Sequence, residues 1–181
     1  DNETLDTMLW KKVSRIKQEL NFTQIKAIAD LFAHIVDYKS PFTSNHSIGV
    51  AEGAEKISRF MGFDEDICQK MYLAGALHDI GKVAIGNEIL EKPEKLTDEE
   101  FKTMKHHAVY TYYILSGIDD FEEIRDWAAL HHEKLNGKGY PFGKTADELN
   151  EQERIMACID IYQALTENRP SKKGLSHEKA C

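Results

Sequence analysis

The chain has 181 residues, 41% of them hydrophobic and 30% charged, enough apolar material to bury roughly 70% of its unfolded surface as one packed domain. Its formal net charge of −8 argues against a broad basic face gripping DNA or RNA through many phosphates, so an anionic ligand has to be held locally. No apolar run reaches the ~18 residues of a membrane span, and no basic-then-apolar signal segment opens the chain. Cys68, Cys158 and Cys181 form no C-x-x-C pair, which speaks against a disulfide framework or zinc ribbon and for a reducing, cytoplasmic compartment. The lack of an initiating Met and the ending at "SHEKAC" suggest a fragment of a longer protein, with a regulatory domain upstream.

Nearly every segment has helical period. Leu5, Leu9, Val13, Ile16 and Leu20 recur at steps of three and four and predict a first helix. It reads equally as a helix packed on the core or as the end of a signalling coiled coil. Ile25, Ile28, Ala29, Phe32, Ala33 and Val36 predict a second, ended by "KSPF" at 39–42. Thr43 or Ser44 is placed to cap a third, which carries Ile48, Ala51, Ala54, Ile57 and Phe60 inward and stops at Gly62. Asp64 caps a fourth that runs into "GALHDIGK" at 75–82. Thr97 with Glu100, and Asn150 with Glu153, have capping-box spacing, so helices start at both places. Between them two more are expected over about 104–116 and 119–132. No run alternates long enough for a convincing strand, and no repeat of 20 to 50 residues is visible. The expected fold class is all-α, with at most a short hairpin in the loops.

Five of the eight histidines fall where these helices are expected to begin or end. His46 lies near the start of the third, His78 and Asp79 at the end of the fourth, His107 near a later start, and His131 and His132 close another. A lone buried histidine is more often a satisfied core residue than a ligand, but five at helix ends point to one site. Neighbours on a helix project about 100° apart, so each adjacent pair straddles a site at the helix end, a width that suits two metal ions. Asp160 stands among Ile155, Ala157, Ile159, Ile161 and Leu165, where a carboxylate is costly to bury unless paired or metal-bound, a bond to a backbone amide being the plain alternative. In "HHEKLNGKGYP" at 131–141, Gly137 and Gly139 let the backbone reach positive φ or pass close to a bulky ligand, and Pro141 stiffens the exit.

The series "HDIGK", "LTDEEF", "KHHAVYTYYIL", "HHEKLNGKGYP" and "CIDIYQALTENRPSKK" resembles the HD-GYP phosphodiesterases, a bacterial branch of the HD metal-dependent phosphohydrolases. The likeness runs from about residue 37 to the end. It implies an HD-domain helical bundle with extra helices and a GYP loop. Residues 1–36 would then be N-terminal helices, a candidate linker from an upstream regulatory domain, and 37–181 the catalytic domain. The implied activity is hydrolysis of cyclic di-GMP to linear pGpG or GMP, some relatives acting on cyclic GMP-AMP. By motif position the implied metal ligands are His46, His78, Asp79, His107, His131, His132 and Asp160. His107 is matched, and not His106, because the family's histidine stands eight residues before the leucine that is Leu115 here. His106 is expected to face solvent or back a ligand; His34 and His177 match no motif position and read as surface residues.

Lys82, Gly139, Tyr140, Arg169 and Lys172 match family positions that approach the site or contact substrate, and Asp79 and Lys82 are the implied catalytic pair. Arg169 could instead cap the preceding helix, and Tyr140 could be a packing plug. Glu133 either orients a ligating histidine or anchors the loop. The residue types fit the chemistry, since a phosphodiester needs a hydroxide at neutral pH and cations against its oxygens, which two metals about 3.5–4 Å apart provide. The expected arrangement has Asp79 bridging the metals, with Asp160 and His46 completing one shell and His107, His131 and His132 the other. A bridging hydroxide attacks phosphorus, while Lys82 and Arg169 neutralise growing charge. Mixed histidine and carboxylate donors favour two first-row ions, Fe or Mn first.

Family members with three metals carry a Glu where Phe42 stands here, leaving Asp37 or a water for any third ion. Thr111 replaces a usual Gly, Gln163 a usual Asp, and Ser171 a frequent aromatic. Implied partners beyond the substrate are diguanylate cyclase domains, the upstream domain and a second copy in a homodimer. Two other functions stay open: a weakly catalytic docking module, and an HD hydrolase of ordinary nucleotides, which would lack the "GYP" and "RPxxK" segments.

Overall fold

Side-chain caps legible in the chain open three of the helices seen in the computed structural model, which describes residues 19–39, 45–167 and 174–180. Helix α1 spans Phe22–Lys39, α2 His46–Phe60 and α3 Glu65–Leu77, and a 3-10 helix follows at Ile80–Ala84. Next come α4 (Asn87–Leu90), α5 (Asp98–Leu115) and α6 (Glu122–Ala129), a second 3-10 helix at Ala146–Glu148, α7 (Glu151–Thr166) and α8 (His177–Ala180). Among the described residues there is no strand. One isolated antiparallel bridge pairs Asn136 with Thr145, in place of the short hairpin that the loops allowed. The all-α expectation holds.

Asp64 accepts a hydrogen bond from the Ile67 amide at 2.9 Å, and both expected capping boxes close reciprocally at Thr97/Glu100 and Asn150/Glu153. Each satisfies two amide donors that a helix start otherwise leaves without partners. A third box, Thr145/Glu148, was not foreseen. Because nothing interrupts the helix begun at Thr97, the segment expected as a separate helix at 104–116 is the second half of α5. His107 therefore lies in mid-helix and not near a start. The helix expected over 119–132 is shorter, Glu122–Ala129, which frees His131 and His132 to turn inward beyond its end. Leu5, Leu9, Val13 and Ile16, like Thr43 and Ser44, lie outside the described residues; Leu20 precedes α1 without being helical.

The α2–α3 crossing forms the centre of the core, with Val50, Ala51 and Ala54 against Met71 and Ala74, and α1, α6 and α7 packing around it. Phe60, expected inward, is 87% exposed. It sits two residues, about 200° of helix, past Ser58, the last buried position of α2. In α1 the inner face is Ala29, Ala33 and Val36, while Ile28 and Phe32 turn outward. No described helix is long and apolar enough to cross a membrane.

Small residues let α2 and α3 approach closely: a Cβ on Gly75 would stand 2.6 Å from the Ala51 Cα. Gly75→Ala is therefore expected to cost about 1–3 kcal/mol through overpacking. A lowered urea midpoint with an unchanged m-value would register it, and an unchanged midpoint would show that the crossing yields.

Candidate metal centre

Three histidines are oriented by one local device. Nδ1 of His78, His107 and His131 faces the backbone carbonyl three residues earlier, at Gly75 (2.7 Å), Met104 (2.7 Å) and Ala128 (2.6 Å). A carbonyl only accepts, so a proton must sit on Nδ1, and whenever the ring is neutral Nε2 presents its lone pair to the other side. All three Nε2 atoms are buried without a hydrogen-bond partner. Leaving such groups unpaired costs about 1–3 kcal/mol each. Their convergence is the mark of a site built for a ligand that supplies the missing bonds.

The HD turn is fastened from α5. The Thr111 hydroxyl donates to the His78 carbonyl and accepts from the Gly81 amide, both at 3.0 Å. Thr111, a departure from the family pattern, is thus a buried tie between the turn and the helix that carries His107. A Cβ at Gly81 would collide with the His107 carbonyl, so only glycine lets the turn lie against α5.

Donor atoms of His46, His78 and Asp79 form one group, and those of His107, His131 and His132 a second, with the atoms of each within 4.8 Å of one another. Asp79 lies between them: Oδ2 is 3.3 Å from His78 Nε2 and Oδ1 3.4 Å from His107 Nε2. Asp160, from α7, accepts at 3.0 Å from His46 Nε2 and reaches 3.8 Å from His78 Nε2 and 4.0 Å from His132 Nδ1. It pairs with imidazoles, so the backbone-amide alternative does not describe it. All seven residues that the sequence singled out as ligands meet in one place, and His132 alone among them is less than fully buried. Their nitrogen and carboxylate donors fit divalent first-row ions.

The charges in the site are strongly coupled. Burial resists ionisation of Asp79, but Lys82, His78 and His107 outweigh it and hold the carboxyl well below the usual range. Burial also resists charge on His78, yet Asp79 and Asp160 raise its pKa to about 9. Burial dominates at His131, aided by His132 and His78, and pushes it well below the ordinary value. The same burial, with His107 beside it, lowers His132 to about 4. Asp160 is held down against burial by the His46 hydrogen bond and by His131 and His78. Two imidazoles kept neutral next to two carboxylates kept ionised are the protonation states that cation binding requires.

Beyond the donors, Lys82 Nζ stands 2.5 Å from Asp79 Oδ2. Tyr140 lies beside His132, with ring centroids 4.6 Å apart and ring planes tilted by 38°. An open cleft of about 470 Å³ adjoins them, lined by Lys82, Lys95, Leu96, Met104, His132 and Tyr140 among others. Lys95 went unnoticed in the sequence because nothing local marks a loop lysine as facing a cleft. Glu133 anchors the loop: its carboxylate accepts from the amides of Phe142 (2.7 Å), Gly143 (3.0 Å) and Lys144 (3.0 Å). Gly137 takes a positive φ, while Gly139 is required by its close approach to the Glu133 and Lys134 backbone, a contact within the loop.

Several residues fall elsewhere. His34, His106 and His177 are exposed. Asp37 is buried with both oxygens engaged by the Ser47 amide (3.0 Å) and hydroxyl (2.8 Å), which fixes the start of α2. Gln163 packs over Gly49. Phe42, Arg169, Lys172 and Ser171 lie outside the described residues.

The family model for the HD domain matches residues 30–181, and the chain belongs to the HD domain family. It is 36% identical to 3'3'-cGAMP-specific phosphodiesterase 1 of Vibrio cholerae over 91% of this chain and 40% of that protein. It is 38% identical to phosphodiesterase 3 of the same specificity and organism, over 89% and 35%. With a cyclic di-GMP phosphodiesterase of Pseudomonas aeruginosa it shares 35% identity over 77% and 34%. The chain thus spans between about a third and two fifths of these relatives' length. In fold it is similar to Bd1817, a HDG"Y"P protein from Bdellovibrio bacteriovorus, with a TM-score of 0.57 at 16% identity over 80% of this chain and 53% of that one. The HD-GYP resemblance read from the sequence is borne out.

Replacing Glu133 by Ala removes three amide acceptors at once. Hydrogen exchange at Phe142, Gly143 and Lys144 is expected to quicken at least about tenfold, as loss of charge-assisted bonds worth about 1.5–3 kcal/mol each implies. Exchange in the α2–α3 core should stay unchanged; undiminished loop protection would return Glu133 to a passive role.

Proposed function

We propose that this chain is the hydrolytic domain of a cyclic-dinucleotide phosphodiesterase, opening cyclic di-GMP to linear pGpG or onward to GMP. The observation that carries the reading is the pair of three-donor groups with the Asp79 carboxylate between them, beside a cleft holding Lys82 and Tyr140. The phosphodiesterase names of the relatives support the same reaction class.

In this reading His46, His78, Asp79 and Asp160 hold one ion, and His107, His131 and His132 hold a second, with Asp79 shared. Two ions of Fe or Mn are the proposed complement. When bound, they supply positive charge against the phosphoryl oxygens and a nucleophile available at neutral pH. The Nδ1–carbonyl bonds keep the imidazoles aimed without reorganisation during the reaction. Lys82 brings an ammonium to the edge of the Asp79 carboxylate, placed to offset charge gathering on a phosphoryl oxygen. Tyr140 offers a ring face to a nucleobase, and the Glu133-anchored loop holds that ring and Gly139 in place. Arg169 and Lys172 are proposed for the substrate's phosphates on motif position alone.

A second substrate reading, cyclic GMP-AMP, is favoured by the names of two relatives. Both ligands share the phosphodiester ring and differ in one base, so discrimination falls to the cleft and not to the metal donors. A cytoplasmic setting belongs to the same proposal. So does docking to diguanylate cyclase domains, which becomes the main reading if metals are held and no cyclic dinucleotide is turned over.

The direct test is elemental analysis of protein purified without oxygen, with turnover measured on the same sample. About two metals per chain and linear product from cyclic di-GMP are expected, and absence of metal after reconstitution with Fe or Mn would overturn the proposal. Asp79→Ala should lose metal retention and turnover together while far-UV circular dichroism stays helical; normal metal content with full activity would remove Asp79 from the centre. Tyr140→Ala should keep its metals and raise KM by roughly five- to hundredfold, the ~1–3 kcal/mol typical of a base stacked on an aromatic ring. An unchanged KM and kcat would make Tyr140 a packing residue.

A further inference from the structure

We infer that Glu167 is the positioning residue of His46, accepting the Nδ1 proton of the ring when a cation occupies its Nε2 side. The inference rests on the metal reading above and adds a residue outside the ligand set. His46 departs from the device that orients its companions. His78, His107 and His131 each give Nδ1 a carbonyl three residues back. His46 is the first residue of α2 and has no preceding helical turn to supply one. Its Nδ1 is buried without a hydrogen-bond partner, and 3.5 Å away lies Glu167 Oε2. That oxygen is itself buried without a hydrogen-bond partner, and among the described residues it is the one carboxylate oxygen so placed. The two unpaired atoms face each other at about half an ångström beyond a good N–H···O bond.

The placement follows from α7. Asp160 and Glu167 are seven residues apart, two helical turns, so they come off nearly the same face about 10 Å apart along the axis. Glu167 ends the helix: its amide donates to the Gln163 carbonyl at 2.9 Å and its backbone turns extended. The two carboxylates take opposite edges of the His46 ring, Asp160 at Nε2 (3.0 Å) and Glu167 at Nδ1 (3.5 Å). Without a cation the closer Asp160 takes the Nε2 proton; when a cation replaces that proton, the ring keeps its proton on Nδ1, and a carboxylate there makes Nε2 a stronger donor. Glu167 thus stands in for the missing carbonyl.

The experiment uses the full chain stripped of metal and titrated with Mn2+ alone, so the outcome does not depend on turnover. Glu167→Ala is expected to weaken Mn2+ binding about 10- to 100-fold with unchanged stoichiometry, the range usual for removing such a partner. Glu167→Gln keeps an acceptor for the Nδ1 proton and should recover most of the loss. In a His46→Ala background, Glu167→Ala should add no further loss. In the Zn2+-bound unaltered chain, 15N shifts should place the His46 proton on Nδ1. Equal Mn2+ affinity in the Glu167 variants, an undiminished Glu167→Ala effect without His46, a proton on Nε2, or loss of one whole ion on Glu167→Ala would each overturn the inference, the last by making Glu167 a direct ligand. If the unaltered chain binds no Mn2+, the metal reading falls and this inference with it; if it binds and Glu167 proves indifferent, the metal reading stands alone.

Discussion

A carboxylate buried between imidazoles is the constraint around which the rest is arranged. Asp79 is 4% exposed and ionised, a state that the interior tolerates only with opposite charge and donors on every side. Lys82 supplies an ammonium from the same turn and His78 a second positive charge, while the His107 ring nitrogen lies 3.4 Å away on the other side, from a different element. Satisfying Asp79 therefore requires the end of α3 and the middle of α5 to touch. Gly81 removes the side chain that would keep them apart, and Thr111 bonds both sides of the turn. Packing at the α2–α3 crossing and charge at the centre are in this sense one problem, because Gly75 both admits Ala51 and offers the carbonyl that orients His78.

The site's rigidity comes from backbone atoms more than from side chains. Three imidazoles are held by carbonyls of their own local turns, so their aim is decided as soon as each helix forms. His46 cannot use that device and meets two carboxylates of α7 instead, which ties the first and last parts of the site together. The loop after His132 is organised the same way in reverse. There a single side chain, Glu133, gathers three amides of a segment with little regular structure, and Tyr140 is set beside His132 as a result.

Much of this was legible along the chain. The capping boxes, the Asp64 cap and the apolar period located the helices because these signals act within four residues. The paired His-Asp and His-His at helix ends pointed to a common site because adjacent residues on a helix diverge by a known angle. What stayed illegible was contact between distant segments. The mid-helix position of His107 depends on α5 running unbroken from Thr97. The outward turn of Phe60 depends on which stripe of α2 meets α3. The structural duty of Asp37, the tie made by Thr111 and the proximity of Glu167 to His46 all join residues at least ten positions apart.

By itself, the sequence determined that the chain would be helical, where three of its helices would start, and that seven histidines and aspartates of metal-binding type would be available at recognisable spacing. These follow from short-range hydrogen bonding, periodicity and donor chemistry. Only the tertiary structure decided that the seven donors sort into two groups sharing Asp79, which ring nitrogen of each histidine faces inward, and which carboxylates support the others. Those outcomes depend on how helices cross and what burial leaves unpaired, and neither is a property of any one segment.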